Sequence, residues 1–358
     1  MSGTQSPSGS VESTALTAAI RGGDEEAFNH LARRHRRELL IHCYRMLGSL
    51  DDAEDAVQDA LLRAWRYRES ILEGAPLRPW LYRVATNVCF DTIARDKRRS
   101  VLAETSAEND APSLIDEVTW LQPIPDSLIE PRSHPISQQD ADPEAIVLSR
   151  ETIEIAFLTV IQLLTPQQRA ALILCDVLGW SAKEAAGLLD VSTAAVTSAL
   201  QRARLTLQRK LPSRRPEWKA GEDPSVAERA LLKKIVDASE NADLDAFTSI
   251  IRDDVIFRMP PQPDIVVGRD AMLKLWVDAG FGTERFGRVR CVLTRANLQP
   301  AVAYYVRRPS DAAWQALTLD VLRIEEGMIT EIVTFAGNVF PRFGLALTMD
   351  EQAGGVTQ

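Results

Sequence analysis

Six prolines fall between residues 101 and 143: Pro112, Pro123, Pro125, Pro131, Pro135 and Pro143. A proline fixes φ and removes an amide donor, so no regular helix or central strand runs through such a stretch. On its N-terminal side apolar residues recur at helical spacing, and they do so again after it. From about residue 225 the pattern changes to short runs of β type. The chain must therefore fold as separate modules, with 101–143 as an extended connector. A length of 358 residues agrees with two or three domains.

The first helical module covers residues 14–100. Its apolar positions are Leu31, Leu39, Leu40, Tyr44 and Leu47, then Val57, Leu61, Leu62 and Trp65, then Trp80, Leu81, Val84, Val88 and Ile93. Gly48–Ser49–Leu50 breaks the first helix. Asp51 and Asp52 suit the N-terminus of the next through its dipole. With Glu54, Asp55 and Asp59 they give that helix an acidic outer side, which reads either as a solvated face or as a docking surface for a basic partner. The segment Leu77–Ser100 combines aromatics (Trp80, Tyr82, Phe90), Thr86 and Asn87, and a basic end at Arg95, Lys97, Arg98 and Arg99. Such a set suits unstacked single-stranded bases. The same residues also fit a helix with aromatic core positions and a cationic C-terminus.

The second helical module, 144–211, contains a helix-turn-helix pattern. A short amphipathic helix at Ser181–Leu189 carries Ala185 and Ala186 where a second helix must come close. A turn follows at Asp190–Val191–Ser192, with Ser192 as N-cap of the next helix. That helix, Thr193–Gln208, buries Val196, Leu200 and Leu207. Its other side presents Thr193, Thr197, Ser198, Gln201, Arg202 and Arg204, a set suited to the major groove.

A net charge of −9 argues against nucleic acid only until it is mapped along the chain. Residues 101–149 hold ten acidic side chains and one basic one, Arg132, whereas residues 150–215 hold nine basic and five acidic. Local charge sets the field that a phosphate meets. No apolar run approaches the roughly 20 residues needed to span a bilayer. The N-terminal stretch 1–13 lacks the pattern of a signal peptide and reads as disordered. Cys43, Cys89, Cys175 and Cys291 form no CxxC pair, so they support neither a zinc site nor a disulfide framework. A reducing cytoplasm fits, and no metal or cofactor is expected.

DDAEDAVQDALLRAW, then WLYRVATNVCFDTIAR, then the helix-turn-helix resemble a sigma-70-family factor of the extracytoplasmic-function type over residues 16–211. The resemblance implies two all-α domains, region two and region four, that bind RNA polymerase core and promoter DNA. It places Asp51, Asp52, Glu54, Asp55, Gln58 and Leu62 at the docking surface for the β′ subunit coiled coil. It sets Asn87 near the pocket for a flipped base of the minus-ten element, and Arg95, Lys97, Arg98 and Arg99 on the adjacent backbone. It turns Ser192, Thr193, Thr197, Ser198, Gln201, Arg202 and Arg204 toward the minus-thirty-five element, with base contacts from Thr193, Thr197, Ser198 and Gln201, phosphate contacts from Arg202 and Arg204, and a backbone contact from Lys183 on the first helix. The connector would thread through polymerase. Its piece Thr119–Asp126 is unusually apolar and is expected to dock, either on this chain or on polymerase.

After a linker at 212–224, residues 225–345 resemble the SnoaL-like cone fold, an α+β domain, with a tail at 346–358. Helices are expected at Val226–Ser239 and Leu244–Arg252. Strands are expected at Val255–Met259, Val289–Leu298, Ala301–Val306, Trp314–Ile324 and Ile329–Phe335, as an antiparallel meander with a hairpin turn at Glu326–Gly327. The fold implies an apolar pocket for a small apolar ligand. Asp245, Asp254, Asp264 and Asp320 are the carboxylates that could line it, and Asp320 is the candidate for a buried acid. The favoured role is regulation of the sigma domains. The alternatives are a helix-turn-helix regulator without initiation activity and a fused isomerase or cyclase.

Overall fold

The computed structural model describes residues 7–72, 75–104, 121–129, 153–210, 226–260 and 265–350. The chain divides into two compact units. Residues 1–111, 140–152 and 157–211 form one; residues 112–139, 153–156 and 212–358 form the other. The two helical modules thus form a single unit, and part of the connector belongs with the C-terminal domain.

In the helical unit, α1 (Pro7–Arg21) begins inside the stretch expected to be disordered. Helix α2 (Glu25–Leu47) starts where the Asp24 side chain accepts from the Ala27 amide at 3.0 Å. It ends at Gly48, whose φ of 77° is left-handed. A Cβ there would also lie 3.1 Å from the Gln162 side chain of the second module, so glycine meets two demands at once. Helix α3 (Leu50–Arg66) is capped by Ser49, whose hydroxyl accepts from the Asp52 amide. Its buried face is mostly alanine (Ala53, Ala56, Ala60 and Ala64), which lets it lie close against its neighbours. Leu62, at 60 % exposure, departs from the predicted apolar face. Helix α4 (Leu77–Glu104) continues past the predicted end at residue 100.

The second module contributes α5 (Ile155–Gln162), α6 (Pro166–Leu172), a π-helical turn at Ile173–Val177, α7 (Ala182–Leu189) and α8 (Thr193–Lys210). Capping boxes at Thr165/Gln168 and Ser181/Glu184 start α6 and α7. Arg169 is buried and joins the modules. It donates to Ile161 O at 2.9 Å, Gln162 O at 2.7 Å and Leu164 O at 3.2 Å, and across to Met46 O on α2. Burial lowers its pKa to about 10, so it stays cationic at neutral pH. Gln162 donates to Arg45 O at 3.2 Å. Helix α7 packs on α4, and the Tyr82 and Trp180 rings meet edge to face at 5.2 Å.

The C-terminal unit folds α9 (Val226–Glu240), α10 (Leu244–Ile250) and α11 (Arg269–Asp278) onto one face of a seven-stranded sheet. The strands are β1 (Ile251–Arg258), β2 (Ile265–Val267), β3 (Arg288–Ala296), β4 (Gln299–Arg307), β5 (Trp314–Glu325), β6 (Met328–Ala336) and β7 (Thr348–Met349). Their order is β2-β1-β6-β5-β4-β3, with β7 paired to β5. The predicted strands are all present, but the sheet is mixed: β1 runs parallel to β6. Glu326 and Gly327, both at positive φ, make the β5–β6 turn as expected. Residues Ile251 and Arg252, predicted as helix, begin β1. Leu231, Leu232, Ile235, Phe247, Val302, Leu322 and Ile332 form the core between helices and sheet.

The apolar connector piece docks within this unit. Pro125 bridges to Ala296. The Ile124 amide donates to Asn297 Oδ1 at 3.0 Å, and the Asn297 amide returns a bond to Ile124 O at 2.9 Å. Asp126, at 7 % exposure, accepts from Arg295 Nε and the Leu298 amide, both at 2.8 Å. A second piece is held alongside: Asn297 Nδ2 donates to Ile153 O at 2.8 Å, and the Ile155 amide donates to Gln299 Oε1 at 3.0 Å. Asn297 and Leu298 take left-handed φ of 57° and 61°. The β3–β4 turn therefore grips the apolar piece of the connector, expected to dock on this chain or on polymerase, together with the start of the second module, which the sequence did not link to it.

Candidate nucleic-acid interface

The turn before α8 is built as the sequence predicts. Asp190 takes a left-handed φ of 56° at the end of α7, and the Val191 amide closes back onto Ala186 O at 3.1 Å. Ser192 Oγ accepts from the Ala195 amide at 3.1 Å. Helix α8 buries Val196, Ala199, Leu200 and Ala203. Leu207 is only half-buried, and Ala203 takes the inner place assigned to it. Lys183, Ser192, Thr193, Thr197, Gln201 and Arg202 are exposed, while Ser198 is half-buried. Thr197 also bonds back to Thr193 O at 3.0 Å. Arg204 differs from expectation. Its guanidinium forks onto Asp176 at 2.6 and 2.9 Å, so within this unit it is already paired with a carboxylate.

Helix α4 divides its polar residues between inside and outside. Thr86 is fully buried, donates to Tyr82 O at 2.7 Å and meets His42 Nε2 at 2.9 Å. Burial lowers the His42 pKa to about 3, which keeps that ring neutral. Tyr82 is buried as well, and its hydroxyl donates to Glu38 at 3.2 Å. Neither Thr86 nor Tyr82 is placed to receive a base. Asn87 and Arg95 are exposed, and Arg95 donates to Thr92 Oγ1 at 3.2 Å. Trp80 and Phe90 are half-buried. The side chains of Lys97, Arg98 and Arg99 lie outside the described residues.

On α3, Asp51, Asp55, Gln58 and Leu62 are exposed, and Asp52 and Glu54 half-buried. Asp59 pairs with Arg63 at 2.9 Å, and Arg63 reaches Asp91 on α4 at 2.6 Å. An exposed leucine beside carboxyls and an amide makes a surface with both charge and an apolar anchor.

In the C-terminal unit, Asp320 lies on the sheet face that meets the helices and is 6 % exposed. Burial raises its pKa to about 7, against hydrogen bonds from Thr334, at 2.7 Å, and Thr318. Tyr304, on the same face, meets Ser239 Oγ at 3.4 Å. A cavity of about 530 Å³ opens between the end of α9, residues 281–284 and the outer ends of β3 and β4. Its lining is mixed, with Ala242, Phe281 and Val289 beside Ser239, Glu240 and Arg308, and Asp320 is not part of it. Asp245 and Asp254 are exposed, and Asp264 lies outside the described residues.

The sigma-70 region 2 family model matches residues 31–99, sigma-70 region 4 matches 154–207, and the SnoaL-like domain matches 232–332. The chain is 37 % identical over 330 residues to the ECF RNA polymerase sigma factor SigG of Mycobacterium tuberculosis, covering 91 % of this chain and 85 % of that one. The chain belongs to the ECF RNA polymerase sigma factors. It is also 32 % identical over 197 residues to the M. tuberculosis ECF sigma factor SigM, covering 55 % of this chain and 83 % of that one. The crystal structure of the M. tuberculosis extracytoplasmic-function sigma factor SigJ superimposes with a TM-score of 0.55 at 22 % identity, covering 87 % of this chain and 97 % of that one. That likeness gives the fold: helical sigma domains followed by a SnoaL-like domain. Region 2 takes in α2, α3 and most of α4; region 4 takes in α5 to α8. The relatives named here are sigma factors, not enzymes. Among the described residues no helix is long and apolar enough to cross a membrane.

The sequence reading missed two features of this sigma factor: the clamp around Asn297, and the run of arginines in β3 and β4. The first left a trace in the apolar piece around Pro123–Pro125. The second is visible in the sequence once the two strands are paired.

Proposed function

We propose that this ECF sigma factor binds RNA polymerase core through α3 of region 2, reads the minus-thirty-five element with α8, and captures the minus-ten strand along α4. It works in the cytoplasm, alongside polymerase. The observation that carries this reading is the division of α8. Its alanines and aliphatics pack inward, while Thr193, Thr197, Gln201 and Arg202 form a continuous polar row outside. A helix presented in this way can enter a major groove without unfolding its own core. Arg202 is the phosphate contact of the pair; Arg204 holds the helix to Asp176.

The SnoaL-like domain regulates by holding the connector. Six hydrogen bonds, one of them the Arg295–Asp126 ion pair, tie residues 124–126 and 153–155 to the β3–β4 turn. A connector so held is not available to thread elsewhere. The sign is inhibitory, and a small ligand in the cavity would bias it. The regulatory reading asks no turnover of the domain, and Asp320 is not among the residues that line the cavity. The test is run-off transcription with core polymerase on a cognate promoter, comparing the wild-type chain with Asn297→Gly. Initiation by the wild type and a severalfold gain in the variant are expected. Failure of the wild type to bind core or initiate would leave a helix-turn-helix regulator. Equal initiation by both would remove the inhibitory clamp.

A further inference from the structure

Residues 285–308 contain six arginines, no lysine and no carboxylate, in a chain of net charge −9. They form strands β3 and β4, and β3 is an edge of the sheet. Arg295 near the turn is committed to Asp126. The other five, Arg285, Arg288, Arg290, Arg307 and Arg308, gather at the opposite, open end. Arg288 sits directly across the ladder from Arg307, an arrangement that like charges make unfavourable. The backbones cannot spread to relieve it. Gly287, at φ 98°, approaches so closely that a Cβ would lie 2.5 Å from Arg307 O.

Two of these side chains are further held by an aromatic ring. The guanidinium of Arg290 lies 4.8 Å from the centroid of the buried Trp314 ring, and that of Arg288 lies 5.9 Å from it. Arg290 Nη1 is buried without a hydrogen-bond partner. No described carboxylate pairs with Arg285, Arg288 or Arg290. The acidic neighbours are Glu240, which shares the cavity lining and accepts from the Cys291 amide at 2.9 Å, Glu284, which is exposed, and Asp311, which stands 4.0 Å from Arg308. A partly desolvated cation without a counter-charge is costly in an isolated chain. Edge strands do carry charge to discourage strand addition, but that need does not select arginine alone. The planar guanidinium fork does match phosphate oxygens.

We propose that the open end of the β3–β4 hairpin is a second DNA contact, in which Arg285, Arg288, Arg290 and Arg308 engage the phosphate backbone of duplex DNA without reading its sequence. This goes beyond the proposed function, which places DNA only on the sigma regions, and it rests on that function only for its setting at a promoter. Each phosphate contact releases counterions, so affinity should depend on salt in proportion to the contacts made.

The experiment titrates the full chain against a fluorescein-labelled duplex of about 30 base pairs and arbitrary sequence across a range of salt. It compares wild type with the exposed triple Arg285→Gln/Arg288→Gln/Arg308→Gln and with the matching lysine triple. The glutamine triple should lower the slope of log K against log salt by about 2–3 and weaken binding at least tenfold near 0.1 M salt. The lysine triple should keep most of the slope. Binding of core polymerase is measured on the same proteins. Loss of core binding by the wild type would damage the proposed function and leave the duplex comparison intact. An unchanged slope in the glutamine triple would overturn the proposal. So would a gain in duplex affinity, which would mean that the hairpin seats carboxylates of a protein, this chain's own included.

Discussion

Two contacts in this molecule join segments far apart in sequence, and they are built differently. Between regions 2 and 4, Arg169 spends most of its donors on its own module: Ile161, Gln162 and Leu164. Its bond to Met46 and the bond from Gln162 to Arg45 cross over, with the Tyr82–Trp180 edge beside them. At the β3–β4 turn most bonds cross, from residues 124–126 and 153–155 to residues 295–299, while Arg295 to Leu298 O and Gln299 to Leu322 O stay within the turn and sheet. The first contact can open while each module keeps its core and most of its satisfied carbonyls. The second cannot open without orphaning buried groups on both sides. Regions 2 and 4 are therefore the easier pair to separate, and on the proposed inhibitory reading the connector clamp is the costlier contact to open.

The largest expected effect comes from breaking that clamp. Asn297→Ala removes two buried hydrogen bonds and puts alanine at φ 57°, a left-handed conformation that asparagine tolerates better. Orphaned partners cost about 1–3 kcal/mol each. Limited proteolysis near residues 121–129 should quicken more than tenfold. Asn297→Gly keeps the backbone conformation and should show a smaller gain. If both variants digest at the wild-type rate, the clamp does not hold the connector and the contrast with Arg169 fails.

A second test uses pH. Glu154 lies in the held segment, and burial raises its carboxyl to about 9, partly offset by Arg323. Below the ordinary value near 4.5 the carboxyl is protonated in both folded and unfolded chains and costs nothing. Between 4.5 and about 9 only the unfolded chain gives up the proton, so stability falls as pH rises and levels off above that range. Glu154→Gln should leave Tm unchanged near pH 4.5 and raise it by several degrees near pH 8.5. A gain of equal size at both pH values would show that titration of Glu154 is not its source.

The weaker contact is probed with Trp180→Ala. Loss of the edge-to-face pair with Tyr82 should cost about 0.5–1.5 kcal/mol beyond lost burial. Fluorophores on regions 2 and 4 should report a larger separated fraction, and core polymerase should bind a few-fold more tightly. No change in transfer efficiency would mean that the Arg169 and Gln162 bonds alone keep the modules together.

These contrasts also separate what was legible in the sequence from what was not. The cap Ser192, the break at Gly48–Ser49–Leu50, the helical apolar faces and the five main strands follow from local rules of period and hydrogen bonding. The fate of α4 did not, because Tyr82, Thr86 and Asn87 look equally polar in sequence. Only packing against α2 decides that Thr86 turns inward to His42 while Asn87 stays outside. The parallel pairing of β1 with β6 needs a crossover that no turn signal encodes. The clamp joins residues about 170 positions apart, and a single sequence shows its halves as an unusually apolar connector and an ordinary hairpin turn.

The smallest effect separates two neighbours on α8 that the sequence treats alike. Arg202 is exposed with its head free for phosphate, whereas Arg204 is forked onto Asp176. A side chain 55 % exposed in such a pair contributes little to stability. Arg202→Gln should therefore weaken binding to promoter duplexes uniformly and lower the salt slope by about 1. Arg204→Gln should leave the slope unchanged and shift Tm by a degree or less. Gln201→Ala is the control for base reading: it should relax preference at one position of the minus-thirty-five element with the salt slope intact. If Arg204→Gln lowers the slope as much as Arg202→Gln, Arg204 leaves Asp176 when DNA arrives, and the ion pair is a resting place for a phosphate contact.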